Sequence, residues 1–102
     1  MSNLSDALRN DDSDAVVVAV KKILRPFVAR GSLYLYGSRA AGTSDPDSDY
    51  DFAVISPSGG LTLKEKLDNA IGAYYTDRID IQVYKSYEAL ASVAGDDIDK
   101  VS

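Results

Sequence analysis

The chain has 102 residues, 45% of them apolar, with 16 acidic against 11 basic side chains and a formal charge of -5. That length accommodates one compact domain, residues 1–102, and the composition excludes disordered and repeat architectures, while the acidic balance disfavours a nucleic acid polymer as partner. With neither cysteine nor histidine, disulfides, thiolate metal sites and imidazole catalysis are excluded, leaving carboxylates, hydroxyls and bound metal for any chemistry.

In chain order, residues 1–12 are polar and read as loosely ordered. Val16, Ala19, Val20, Ile23, Leu24 and Phe27 then recur at helical spacing, predicting a helix over about 13–30 with Ser13 or Asp14 as cap. Pro26 should kink or shorten it, and Gly31 suits its end. Leu33–Tyr36 lies between Gly31 and Gly37 without helical spacing and predicts a buried strand. Tyr50, Phe52 and Val54 alternate with Asp49, Asp51 and Ala53, predicting a half-buried strand with carboxylates on one face.

Thr62 with Glu65 forms a capping-box pattern ahead of a helix over about 63–75. Ile79, Ile81 and Val83 alternate with Asp80 and Gln82 in a third strand, and Ser86 caps a short helix reaching Ala94. Residues 95–102 read as a loose tail. The order helix, strand, strand, helix, strand, helix predicts an α+β fold, a small mixed sheet with helices packed on one face. No apolar run is long enough to span a bilayer and the acidic start has no signal-peptide order, so a cytoplasmic location without membrane contact is expected.

The chemistry concentrates in two stretches. Asp49 and Asp51 put two carboxylates on one strand face, a costly arrangement unless a hard cation lies between them, and Asp80 repeats the design on the third strand. Asp45, Asp47 and Asp49 match the first, third and fifth positions of a calcium loop, but Tyr50 stands where its glycine belongs and Ser56 where its bidentate glutamate belongs. Gly37-Ser38-Arg39-Ala40-Ala41-Gly42-Thr43 follows a strand and is built of small residues that let backbone amides approach phosphate, yet Thr43 replaces the lysine a Walker loop requires. Arg39 either reaches a phosphate or pairs with a neighbouring aspartate. Asp77 precedes the third strand and suits the turn better than a metal. The tyrosines are read as core or contact residues, one of them available to stack on a base, and Lys64 and Lys66 as a solvated helix face.

Gly37-Ser38, ten residues, then Asp49-Tyr50-Asp51 and the later strand Asp80 resembles the DNA polymerase β-like nucleotidyltransferase superfamily. Within it the stretch from Leu35-Tyr36-Gly37-Ser38-Arg39-Ala40 to Ser48-Asp49-Tyr50-Asp51-Phe52-Ala53-Val54 is similar to the minimal nucleotidyltransferases, the antitoxins of HEPN/MNT toxin-antitoxin modules. The resemblance implies a polymerase β palm-like fold and transfer of AMP from ATP with two Mg²⁺ ions. It further implies Asp49, Asp51 and Asp80 as catalytic metal ligands, and Gly37, Ser38 and Arg39 as nucleotide-binding residues. It implies a HEPN-type toxin as protein acceptor, modified on a hydroxyl. Ala41 departs from the many relatives with a second arginine there. Two alternatives stand beside this: an inactive antitoxin that acts by binding its toxin, and a transferase for a small antibiotic-type substrate in which a homodimer supplies the acceptor pocket.

Overall fold

The computed structural model describes residues 4–44, 48–58, 60–75 and 78–101. Its first element is a helix, α1 (Leu4–Arg9), in the stretch expected to be loosely ordered. Leu4, Ala7 and Leu8 recur at i, i+3 and i+4 and bury one face of this short helix against the core. Asp11 turns the chain in a left-handed conformation (φ 49°). Helix α2 (Ser13–Leu24) follows, and its cap is Asp12 rather than Ser13 or Asp14: the Asp12 carboxylate accepts from the Ala15 amide at 3.2 Å.

Helix α2 stops at Leu24, six residues short of the expected end, because Pro26 has no N–H for another helical bond. Phe27 instead closes a turn onto the Leu24 carbonyl at 2.9 Å and leaves its ring exposed. Gly31 serves the turn into the next strand, not a helix end.

Strand β1 (Leu33–Tyr36) leads through Gly37 into the single turn α3 (Ser38–Ala41), and then come β2 (Tyr50–Ile55), α4 (Leu61–Tyr75), β3 (Ile79–Tyr84), α5 (Tyr87–Ala94) and β4 (Ile98–Lys100). Thr62 lies inside α4 rather than at its cap, because the Gly60 carbonyl already accepts from the Lys64 amide at 2.9 Å. Ser86 caps α5 as expected, its hydroxyl accepting from the Ala89 amide at 3.1 Å. The supposed tail contributes β4, which pairs antiparallel with β1, Tyr36 opposite Ile98.

The sheet order is β3-β2-β1-β4, with β2 and β3 parallel and the other pairs antiparallel, so the α+β class with a mixed sheet holds. Period-two alternation sorts the side chains. Leu33, Leu35, Tyr50, Phe52, Val54, Ile79 and Ile81 point to one face, where they form the main core with α1, α2 and α4. The opposite face carries a smaller cluster in which Leu90 of α5 packs on Tyr36 and Ala53, so one short helix lies on the side left open in the sequence reading. Lys64 does not line a solvated face: its ammonium pairs with Asp68 at 3.1 Å and donates to the Ile81 carbonyl at 2.7 Å, occupying an acceptor on the outer edge of β3. No helix among the described residues is long and apolar enough to cross a membrane.

Candidate active site

The face opposite the main core holds the carboxylates. In the parallel ladder Asp51 stands directly beside Asp80, and in the antiparallel ladder Asp51 stands beside Tyr36. Three adjacent strands therefore present Tyr36, Asp51 and Asp80 in a row. Asp49 enters two residues earlier, just ahead of β2. The row changes from closed to open: Tyr36 is buried, Asp51 half-buried, Asp80 and Asp49 exposed.

The electrostatics follow from that crowding. Burial raises the Asp51 carboxyl above its ordinary value, and the charges of Asp80 and then Asp49 push the same way. Tyr36 is raised more strongly, first by burial and then by its contact with Tyr84, with Asp51 and Asp80 adding to the effect. Its hydroxyl lies 3.4 Å from that of Tyr84 and the rings meet edge to face, so a tyrosine pair floors the site. Aspartate is poorly suited to a strand, and two side by side across a ladder repel. A divalent cation or a triphosphate bound through one would remove that cost.

Gly37 makes the close approach possible. It has φ 78° and ψ -151°, a region reserved almost wholly for glycine, and a Cβ built there would stand 2.8 Å from Asp51 Oδ2. Gly37 also donates its amide to the Asp97 carbonyl at 3.2 Å, which ties the turn to the segment entering β4. Ser38, half-buried, opens α3, where no side chain caps the turn. The first amides of a helical turn have no acceptor inside it, and such an end favours an anion. The turn ends at Gly42 in the left-handed conformation, its amide returning to the Ser38 carbonyl.

The structure thus brings Gly37, Ser38, Asp49, Asp51 and Asp80 to one region, and it places Arg39 elsewhere. The Arg39 side chain is only 2% exposed and points under the loop, donating to Asp11 Oδ1 at 2.8 Å, to the Ser48 carbonyl at 2.7 Å and to Ser13 Oγ at 3.4 Å. Its guanidinium also stacks over the Tyr50 ring, 4.0 Å from the centroid. Of the two roles read for it, pairing with an aspartate is the one the geometry supports; among the described residues that aspartate is Asp11. Ala41 is exposed on the outer side of α3. Asp45, Asp47 and Asp77 lie outside the described residues.

In this conformation no three carboxylates among the described residues converge at ligating distance. Asp80 turns instead toward Gln82, whose amide donates to its two oxygens at 3.2 and 3.3 Å. The donor set nonetheless suits a hard divalent ion: all oxygen, anionic, on one face, with one carboxylate raised by its neighbours' charge.

Tyr36, Asp11 and Arg78 escaped the sequence reading. The Tyr36 position was legible as a strand partner, but its place beside Asp51 depends on register, which the sequence does not show. Asp11 had a visible signal: Asn10-Asp11-Asp12 interrupts two stretches of helical apolar spacing.

Compared with known families, residues 17–99 match the model of the nucleotidyltransferase domain. No curated protein matches the sequence.

Proposed function

The chain belongs to the nucleotidyltransferase domain family, and from that premise we propose that it transfers AMP from ATP to a hydroxyl of a partner protein, a HEPN-type toxin whose antitoxin it is. The observation that carries the transfer reading is the pairing of Asp51 with Asp80 in the parallel ladder, with Gly37 backed against the Asp51 carboxylate. The choice of a protein acceptor is supported by the likeness of the stretch from Leu35 to Val54 to the minimal nucleotidyltransferases.

Asp49, Asp51 and Asp80 would hold the divalent ions, two Mg²⁺ in this reading. When bound they would neutralise non-bridging phosphate oxygens and acidify the attacking hydroxyl. The residues themselves do the rest. Ser38, at the start of α3, donates to the triphosphate through its amide and hydroxyl, fixing the α-phosphorus over the carboxylates. Asp80 is exposed on the outer strand, so the acceptor hydroxyl arrives on its side and gives it the proton. The acceptor oxygen forms a bond to the α-phosphorus, the bond from that phosphorus to the bridging oxygen breaks, and pyrophosphate leaves. Tyr36, neutral beside Asp51, supplies a hydroxyl without adding charge.

The test is incubation of the chain with ATP labelled at the α-phosphate, Mg²⁺ and the product of the adjacent gene. Label on that protein, with pyrophosphate released and both signals lost in Asp51→Asn and Asp80→Asn, is the expected result. Unlabelled protein that the double variant still neutralises would overturn catalysis in favour of binding alone. Label only on a small hydroxyl compound would overturn the protein acceptor.

A further inference from the structure

Among the described residues, a heavily bonded side-chain cluster lies beneath the carboxylate face rather than on it. Asp11, at the α1–α2 junction, receives Arg39 at 2.8 Å, the Tyr50 hydroxyl at 3.2 Å and Arg78 at 3.7 Å. Ser13 receives Arg39 at 3.4 Å and lies 3.3 Å from the Tyr50 hydroxyl. The Ser48 carbonyl, one residue before Asp49, accepts from Arg39 at 2.7 Å and from Arg78 at 3.4 Å. Tyr50, between the two aspartates, is fully buried and donates its amide to the Arg78 carbonyl at 2.8 Å.

We infer that Arg39 is a positioning residue, and that the α1–α2 junction, through Asp11, holds it against Ser48 and Tyr50 so that Asp49 and Asp51 are presented at fixed spacing. The inference deepens the nucleotidyl-transfer reading and rests on it for what the segment is for. Three features point the same way. A guanidinium this buried, bonded to a carboxylate and a carbonyl, has lost its freedom to follow a moving ligand. Asp11 keeps a positive φ uncommon for a residue with a side chain, at the point where the three donors converge. The contacts also cross the boundary of the family match: Asp11 and Ser13 precede residue 17, while Arg39, Ser48, Tyr50 and Arg78 lie within 17–99. The N-terminal segment therefore completes the acidic loop of the transferase fold, from the side opposite the ligand.

Charge supports the assignment. The Asp11 carboxyl is held below the usual carboxylate range, chiefly by the Arg39 hydrogen bond, with desolvation opposing and Tyr50 and Arg78 adding smaller help.

The test compares the full chain with its Asp11→Asn and Arg39→Lys variants by amide hydrogen exchange without nucleotide, and then by steady-state transfer. Asp11→Asn keeps the shape and removes the charge, so the fold survives. The Tyr50 amide should exchange at least about tenfold faster, while amides of the Leu33–Tyr36 strand stay within about twofold. In transfer, kcat should fall at least about tenfold in both variants with the KM for ATP within about threefold, because geometry rather than binding is lost. Unchanged Tyr50 exchange in both variants would overturn the inference, as would a uniform rise across all strands. So would a raised KM for ATP in Arg39→Lys alone, the signature of direct phosphate contact. If the unmodified chain transfers no nucleotide, the proposed function fails, yet the exchange comparison still decides whether the clamp exists.

Discussion

Replacing Gly37 by alanine tests the assembly of the site with one methyl group. Two costs are written in the structure. At φ 78° and ψ -151° any Cβ is strained, and sparsely populated backbone of this kind costs about 2 kcal/mol. The new Cβ would also stand 2.8 Å from Asp51 Oδ2, so the carboxylate must swing away from the position it holds between Tyr36 and Asp80, at about 1 kcal/mol for the forced shift. The sum, about 3 kcal/mol, lowers Tm by roughly 15 °C for a chain of this size. With Asp51 as the proposed metal-holding carboxylate, kcat should fall about 100-fold, as a misplacement near 1 Å does. The two costs separate in a double-mutant cycle followed by thermal circular dichroism. In an Asp51→Ala background the carboxylate contact is gone and only the backbone strain of Gly37→Ala remains, leaving a coupling of about 1 kcal/mol. A Gly37→Ala protein with Tm within about 4 °C of the original and kcat within about threefold would refute the close-approach argument.

Asp51→Asn should abolish transfer and, in metal-free buffer at pH 7, stabilise the chain, since a half-buried charge beside Asp80 and Asp49 is relieved. The sign follows from proton binding: with the folded carboxyl raised, the native state holds more protons than the unfolded state above the ordinary value of 3.8, so the stability contribution of Asp51 falls as pH rises through that window. Denaturant titrations at about pH 5 and pH 7.5 should therefore show a smaller pH slope in Asp51→Asn than in the original, and an identical slope would contradict the assigned shift. Leu8→Ala should cost about 2 to 4 kcal/mol in the same titration, because Leu8 is 6% exposed in the main core; a cost near zero would return α1 to the status of a frayed end.

What the sequence disclosed and what it hid divide along a physical line. The three longer strands and the Ser86 cap are encoded within a few residues of themselves, by alternation and by a side chain three positions from the amide that donates to it, and they were legible. Helix α2 is legible at its start but not at its end, because Phe27 continues the apolar spacing past Pro26 while the missing N–H ends the helix at Leu24. Helix α1 and strand β4 are short and gain little from intrinsic propensity; their stability comes from packing and pairing with distant residues, Leu8 on the main core and Ile98 beside Tyr36. The site divides in the same way. Asp49, Asp51 and Asp80 could be assigned to strand faces from alternation alone, but the partner of Arg39 lies 28 positions away in the chain, and no local pattern announces a contact of that range.

The topology explains why such a small sheet can carry this site. Because β2 and β3 run parallel in register, Asp51 and Asp80 fall side by side, and a one-residue slip would turn Asp80 into the core and Ile79 or Ile81 out of it. The apolar face therefore fixes the chemical face: the burial of Phe52, Ile79 and Ile81 sets the register that holds two repelling carboxylates together. The antiparallel β1 then ends at Tyr36 beside Asp51, so the chain must leave the sheet directly behind a carboxylate, where only glycine has room. Arg39, two residues further on, turns away from Asp51 and pairs with Asp11. That separation of charge matters for the reaction. An arginine paired with Asp51 would neutralise it and weaken its claim on a cation, whereas a pair formed on the far side holds Ser48 and Tyr50 and leaves the acidic face negative.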